Sequence, residues 1–541
     1  MTSTYSAQLD SHASLSPHTL NIYTVLCRVV TWSLLVFVFG LTVYRANTQS
    51  IAHDEALTYE WFLEQGVHHM LSFNFNNHVL FTMMAKLFVT VFGVTELTLR
   101  APSLIGCAGY LLAVYLLCRT LFGDSLWLPV SVATLCLNPQ ILDLTFAARG
   151  YILGIACLTA SMYVMARALE RGTFNAEDPE WRWSCAKSSI FLSLSVAANL
   201  TNVLPAASLV LCFYLTASPR LPGHAWPGSY ATLRGFGKYL ILPGSLLGTF
   251  ILWPFLIQVR PASFAMGLNK LSDAVQDIFN SSFLYKWTSD IYSSFLDAAP
   301  PPPGSWQAKV SDLGVYVLLP LLLVFVAVGL FLMSHTAPET RRKQTLWCQL
   351  LGGTAIGSVI LIALLHFTLK MSYPFSRYCL YLIPLFTIST LLIARECHFR
   401  FPSVPLRILG LFILTAVLCD YAMSLNTKYI RYNAYDAISR DLFLAIETHA
   451  RSHGLTHVRM GGTWWYEPEL NFYRRRYHAD WMLPYDVKDR SYFWETPNSL
   501  APADYDYFIF TPASDPELTG SRITTVFRDR ATQLTAIAIE R

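Results

Sequence analysis

SSIFLSLSVAANLTNVLPAASLVLCFYLTASP, residues 188–219, carries no charge between Lys187 and Arg220. An α-helix rises about 1.5 Å per residue, so one straight helix of this length would overshoot the roughly 30 Å of hydrocarbon in a bilayer. Asn199, Asn202 and Pro205 fall near its centre, where a polar, helix-interrupting joint is cheapest. The stretch therefore predicts two short spans joined at NLTNVLP (199–205). An odd or even number of spans here decides on which side of the membrane everything later lies.

Working outward, further apolar runs occur at 24–43, 101–118, 125–142, 150–166, 239–259, 315–336, 346–369, 378–394 and 404–424. With the two halves of 188–219 they predict about eleven spans of about 20 residues each. A half-apolar run at 78–95 is interrupted by Lys86. Composition agrees. Of 541 residues 53% are hydrophobic and only 14% charged, against roughly 25% in soluble domains. The mean hydropathy is +0.39. A net charge of +4 is far too small for a polyanion-binding surface, so nucleic acid is excluded as a partner and membrane lipids are expected. A soluble cytosolic enzyme and a disordered chain are excluded too. The eleven cysteines lie mostly within apolar runs, and none follows Cys419. No CxxC pair or Cys–His zinc spacing occurs, so neither a disulfide framework nor a structural zinc is expected.

Lys and Arg counts test the parity. With the N-terminus inside, the inner segments 119–124, 167–187, 218–238, 337–345 and 395–403 are short and basic. Outer segments are then 44–100, 143–149, 260–312, 370–377 and the region after 425. They are longer, more acidic, or hold isolated charges. Residues 1–21 read as a disordered polar tail without a cleavable leader, and 22–425 as the membrane domain. Within 260–312, SDAVQDIFNSSFLYKWTSDIYSSFL reads as an interfacial amphipathic helix ended by the prolines at 300–303. Residues 430–541 have ordinary charge density, a helix-like DAISRDLFLAIETHARSHG and strand-like THVRMGG and DYDYFIFTP. They predict an extracytoplasmic α/β domain. The expected fold class is mainly α: a polytopic membrane helical bundle with that domain at its C-terminus.

The first outer loop holds the densest chemistry. Asp54 and Glu55 follow the first span by about ten residues, with His53 before them and His78 after. A carboxylate at the water–lipid boundary can act as a general base on a hydroxyl or help hold a divalent cation. Acids in such a loop are also ordinary solvated residues, and spacing alone does not separate the readings. In GGTWWYEPELNFYRRRY (461–477), Trp464, Trp465, Tyr466 and Tyr473 are suited to stacking on sugar rings, and Arg474, Arg475 and Arg476 to an anionic acceptor or headgroup. The preferred reading there is a helix packed on the membrane domain with a solvated basic end.

Four motifs in order carry a family resemblance. They are HDEAL…Y at 53–59, then NNH (76–78) leading to VFG (91–93), TEL (95–97) and RAPS (100–103), then AARGY (147–151) and finally YPFSRYCLYLIPLF (373–386). Together with the topology they resemble the GT-C superfamily of integral-membrane glycosyltransferases, in the branch of protein O-mannosyltransferases and lipid A aminoarabinose transferases. One departure is Val79-Leu80 where that family usually has Pro-Pro. The resemblance implies a GT-C-like bundle and a transferase moving a hexose or pentose from a polyprenyl-phosphate carrier to a hydroxyl of a glycan, lipid or protein. It implies Asp54 as the base that takes the acceptor's proton and Glu55 as its partner, orienting the acceptor or sharing a metal. It further implies Arg149, Arg377, Tyr151 and Tyr378 around the donor phosphate, assisted by His78 or Lys86. Metal dependence varies within the family, so a divalent cation stays open as the cofactor. The expected location is a plasma or bacterial inner membrane, with the endoplasmic reticulum as the alternative. Two rival classes remain: a transporter or flippase of lipid-linked saccharides, which should place ionisable groups midway along its spans, and a non-catalytic scaffold or receptor.

Overall fold

The computed structural model describes residues 17–74, 76–218, 229–258, 267–284, 304–336, 342–400, 403–485, 505–510, 522–530, 532 and 534–540. Residues 1–16 of the expected tail, residues 285–296 of the expected interfacial helix and the prolines at 300–303 lie outside them, and residues 17–21 already belong to the first helix.

The chain begins with α1 (Pro17–Thr48), the short α2 (His53–Thr58) and α3 (Val79–Phe92). It continues with α4 (Glu96–Phe122), α5 (Trp127–Cys136), α6 (Tyr151–Leu169), α7 (Pro179–Ala198) and α8 (Val203–Ala217). Then come α9 (Tyr230–Leu256), α10 (Leu271–Phe283), α11 (Trp306–Met333), α12 (Arg342–Leu369), α13 (Leu382–Arg400) and α14 (Val404–Met423). Nine helices among the described residues are long and apolar enough to cross a membrane. Their outward faces carry bare Val, Leu, Ile and Phe, as on α1 and α14, which is tolerable only against lipid. This is an integral, multi-pass membrane protein.

Two of the eleven expected spans differ in kind. The run at 125–142 forms α5, only 10 residues long, followed by a break at Leu137 and a short turn at Pro139–Leu144. The break follows from Asn138, whose side chain caps the next turn by accepting the N–H of Gln140 and Ile141, and from Pro139, which cannot continue the ladder. The first half of 188–219 belongs to α7, which starts earlier, at Pro179, with Glu180, Arg182 and Lys187 in its first turns. Its joint to α8 lies where the asparagines placed it. Asn199 is extended, residues 200–202 form one 3-10 turn, and Asn202 Nδ2 donates to Ser195 Oγ at 3.0 Å.

After α14 the chain forms α15 (Ser439–Ser452), β1 (Met460–Gly462), α16 (Glu467–Arg476), β2 (Tyr507–Phe510), β3 (Arg522–Arg528) and β4 (Thr535–Glu540). The sheet order is β1-β2-β4-β3, with β1 parallel to β2 and the other pairs antiparallel. This α/β region shares a core with the loop between α1 and α3. Ile51, Ala56, Tyr59, Phe62 and Leu63 pack with Leu442, Phe443, Ile446, Leu470 and Tyr473. Ion pairs rim that core: Glu96 receives both Arg440 and Arg476, and Glu64 receives Arg475. The helix is packed, as expected, but its basic end is not simply solvated: Arg475 and Arg476 dock on Glu64 and Glu96.

Candidate active site

Asp54 sits in the first turn of α2 with its side chain 14% exposed. Two guanidiniums converge on one of its oxygens. Arg377 Nη1 donates to Oδ2 at 2.7 Å, and Arg149 Nη2 lies 3.7 Å from the same atom. The residues come from three separated segments, 95 and 323 positions apart from Asp54. Arg149 is 1% exposed and is fixed by Thr58 Oγ1 at 3.2 Å and Asn76 Oδ1 at 3.1 Å. Arg377 comes from the turn Ser376–Cys379 before α13, with its guanidinium 5.5 Å from the Phe375 ring and 5.7 Å from the Tyr378 ring. Burial pushes the Asp54 carboxyl up, but Arg149 and then Arg377 outweigh it and hold the group well below the usual carboxylate range.

Glu55 points elsewhere. Its carboxylate is fully buried and accepts from Arg100 at 2.9 and 2.5 Å, from Ala148 N at 2.6 Å and from Ala52 N at 2.9 Å. Arg100 also donates to the carbonyls of Ala46, Gln49 and Ser50. The pair therefore ties the end of α1 to the 147–151 turn that carries Arg149. The structure does not bring Glu55 to the Asp54 oxygen, because consecutive helical residues point about 100° apart. Nor does it bring Lys86, which lies eight residues along α3 from His78, about 12 Å at the helical rise. Its ammonium donates to Leu63 O at 2.6 Å.

His78 closes another side. It is 5% exposed, and its Nδ1 lies 2.9 Å from Ala198 O at the α7–α8 joint. A carbonyl only accepts, so Nδ1 carries the proton and Nε2 keeps its lone pair. Burial and then Arg149 push the imidazole down to about 3, so it is neutral at pH 7. Gly150 allows this approach, since a Cβ there would stand 1.9 Å from Ala198 O and 2.9 Å from His78 Cβ. The Tyr151 ring meets the His78 ring edge-on at 4.7 Å and the Tyr378 ring at 6.5 Å. The result is a half-open seat with two cations, one carboxylate, a neutral imidazole and two phenol rings.

Sequence reading passed over the other flank. His53, given there only as the neighbour of Asp54, is 4% exposed. Its N–H donates to Asp436 Oδ2 at 2.5 Å, and its Nδ1 lies 2.7 Å from Trp465 O and 3.3 Å from Glu469 Oε1. Its ring meets Trp464 and Trp465, which stack on each other at 4.6 Å. Asp436 and Glu469 are both buried, and burial leaves both carboxyls well above their ordinary range; the Glu469 charge adds to this at Asp436, whereas hydrogen bonding with Asp436 works against it at Glu469. Asp436 lies in no motif, and Glu469 sits unremarked within the aromatic 461–477 stretch, so only contact across the fold reveals the two together. The available signal for His53 was its adjacency to Asp54. Among the described residues no group of three or more His, Cys, Asp or Glu stands where it could hold a metal ion. Asp54 faces two guanidiniums and Glu55 is saturated with donors, so the two carboxylates do not fit a cation shared between them.

No protein-family model matches the sequence, and no curated protein does. Solved structures are similar in shape. The oligosaccharyltransferase of Archaeoglobus fulgidus in its apo form is 13% identical, with 88% of this chain and 69% of that one covered at a TM-score of 0.47. ArnT of Cupriavidus metallidurans bound to undecaprenyl phosphate is 11% identical, with 94% and 97% covered at a TM-score of 0.43. The same oligosaccharyltransferase in complex with zinc and sulfate is 12% identical, with 88% and 67% covered at 0.45.

Proposed function

We propose that the protein is a glycosyltransferase that moves a sugar from a polyprenyl-phosphate carrier to a hydroxyl acceptor at the outer face of the membrane. The observation that carries this reading is the meeting of Asp54, Arg149 and Arg377 where α1 ends and α4, α6 and α13 begin. A lipid-anchored phosphate lies at that depth. Guanidinium forks suit its oxygens, and a carboxylate beside them suits a proton acceptor.

In the proposed reaction the acceptor oxygen attacks the anomeric carbon as the bond from that carbon to the phosphate oxygen breaks. The hydroxyl proton passes to Asp54, and the polyprenyl phosphate leaves with its new charge held by Arg377 and Arg149. Glu55 and Arg100 position the 147–151 turn, while neutral His78 and Tyr151 line the seat. A cleft of about 710 Å3 between α7, α8 and α9 supports a lipid carrier. Leu192, Val196, Val203, Leu240, Gly244 and Gly248 are among its lining residues, and it reaches towards the helix ends that hold His78. No step is routed through a metal.

The positive-inside pattern supports an extracytoplasmic location for 430–541, in a plasma or bacterial inner membrane. The rival transporter is less well served. The buried pairs Arg100–Glu55, Arg45–Asp143 and Arg149–Asp54 gather where helices end rather than midway along them. The test is mass spectrometry of lipid-linked sugars and surface glycans in a deletion strain, joined to transfer by the purified protein. Accumulation of a carrier-linked sugar with loss of one surface sugar is expected. Flux of the lipid-linked saccharide into liposomes without any transfer would establish the rival.

A further inference from the structure

Resting on that reading, we propose that Asp54 is the resting occupant of the carrier's phosphate seat, so that donor binding itself releases the base. Base and phosphate ligands are usually separate in such a scheme. Here they are paired with each other: both guanidiniums face Asp54 Oδ2, at 2.7 and 3.7 Å. Neither cation can present that face to a phosphate while the carboxylate holds it. Arg149 is pinned by Thr58 and Asn76, so the carboxylate and Arg377, each 14% exposed, are the parts left to separate.

The pairing also answers a chemical difficulty. A carboxylate held by two cations is a weak base, and its Oδ2 already accepts from Arg377. A phosphate offers guanidinium two parallel hydrogen bonds, which suits it better than the single contact each arginine makes with Oδ2. When the phosphate takes the arginines, Asp54 loses its clamps beside a new negative charge and becomes a stronger base. That change comes at the moment an acceptor hydroxyl can attack the donor's anomeric carbon. After transfer the leaving polyprenyl phosphate is a monoester with more charge than the diester donor. Once its proton has passed to water, the Asp54 carboxylate returns to the arginines and helps to expel it.

The experiment measures binding of a polyprenyl phosphate, without sugar, to the full-length protein in phosphatidylcholine nanodiscs. Wild type, Asp54→Asn, Asp54→Ala, Arg377→Ala and the double variant Asp54→Asn/Arg377→Ala are compared, each with its melting temperature. Removing the competing carboxylate should tighten binding about tenfold, the scale of one charge-assisted contact. The gain should appear in both Asp54 variants and vanish when Arg377 is already Ala, because competition acts through that guanidinium. A gain that persists without Arg377 is through-space repulsion and overturns the proposal, and so does unchanged or weaker binding in both Asp54 variants. If no protein in the set binds the polyprenyl phosphate, the transferase reading falls as well. If wild type binds and transfers but the Asp54 variants show no gain, only this inference falls.

Discussion

Arg100 donates to both carboxylate oxygens of Glu55, at 2.9 and 2.5 Å, and both side chains are fully buried. The pair holds the last turn of α1, the start of α4 and the N–H of Ala148 in one bonded unit. Removing one partner leaves a buried charge unpaired, which costs about 3–5 kcal/mol. Arg100→Ala should therefore lower the melting temperature sharply and reduce yield. Glu55→Gln, which keeps an acceptor, should cost less stability yet still loosen Arg149. A melting temperature for Arg100→Ala within a degree or two of wild type would contradict this role.

Asp54→Asn keeps the shape of the side chain and removes the oxygen's charge. Expression and melting should stay close to wild type, while the transfer rate falls by about 10²–10⁴-fold, the usual contribution of a placed general base. Initial rates with saturating donor decide it. A purified Asp54→Asn protein that transfers at near wild-type speed would remove the base from the proposed reaction.

For Arg377 the comparison is between two variants. Arg377→Ala should weaken donor affinity by about ten- to a hundred-fold. Arg377→Lys keeps the charge but loses the fork and its stacking on Phe375 and Tyr378, so it should restore affinity only in part. Equal affinity in all three proteins would make Arg377 a mere anchor at the head of α13.

The Asp436–Glu469 pair gives a pH dependence of definite sign. Burial raises both carboxyls above their unfolded values, so between those values the folded state binds more protons. Stability contributed by the pair is complete below the ordinary carboxyl range and is lost as pH rises from there. Glu469→Gln removes the burden of a buried anion and should flatten the fall in melting temperature on the alkaline side. Identical melting profiles for wild type and Glu469→Gln as pH rises above about 4, where ordinary carboxyls titrate, would refute the assignment.

Topology is tested by reporters. A phosphatase fused after Arg541 should be active and a cytoplasmic fluorescent reporter dark, because an odd number of crossings carries the α/β region outside. The reverse pattern would mean that α7 and α8 do not cross as two separate spans.

Much of this molecule is written locally. Uncharged runs longer than a bilayer is thick have few other uses, so their helices could be read at sight. The α7–α8 joint at Asn199 and Asn202 was equally legible, because asparagine and proline break helices through bonds to their own neighbours. Asp54, Arg149 and Arg377 could be named as candidates from chemistry and motif. That they share one oxygen, and that Glu55, one residue on, faces Arg100 instead, was decided by the tertiary structure. A sequence states which charges exist. Which charge a buried carboxylate meets depends on helix packing, which brings residues hundreds of positions apart within hydrogen-bond reach while turning adjacent side chains apart. His53, Asp436 and Glu469 show the same limit, since no periodicity marks a pair that exists only where the α/β region sits on the first loop.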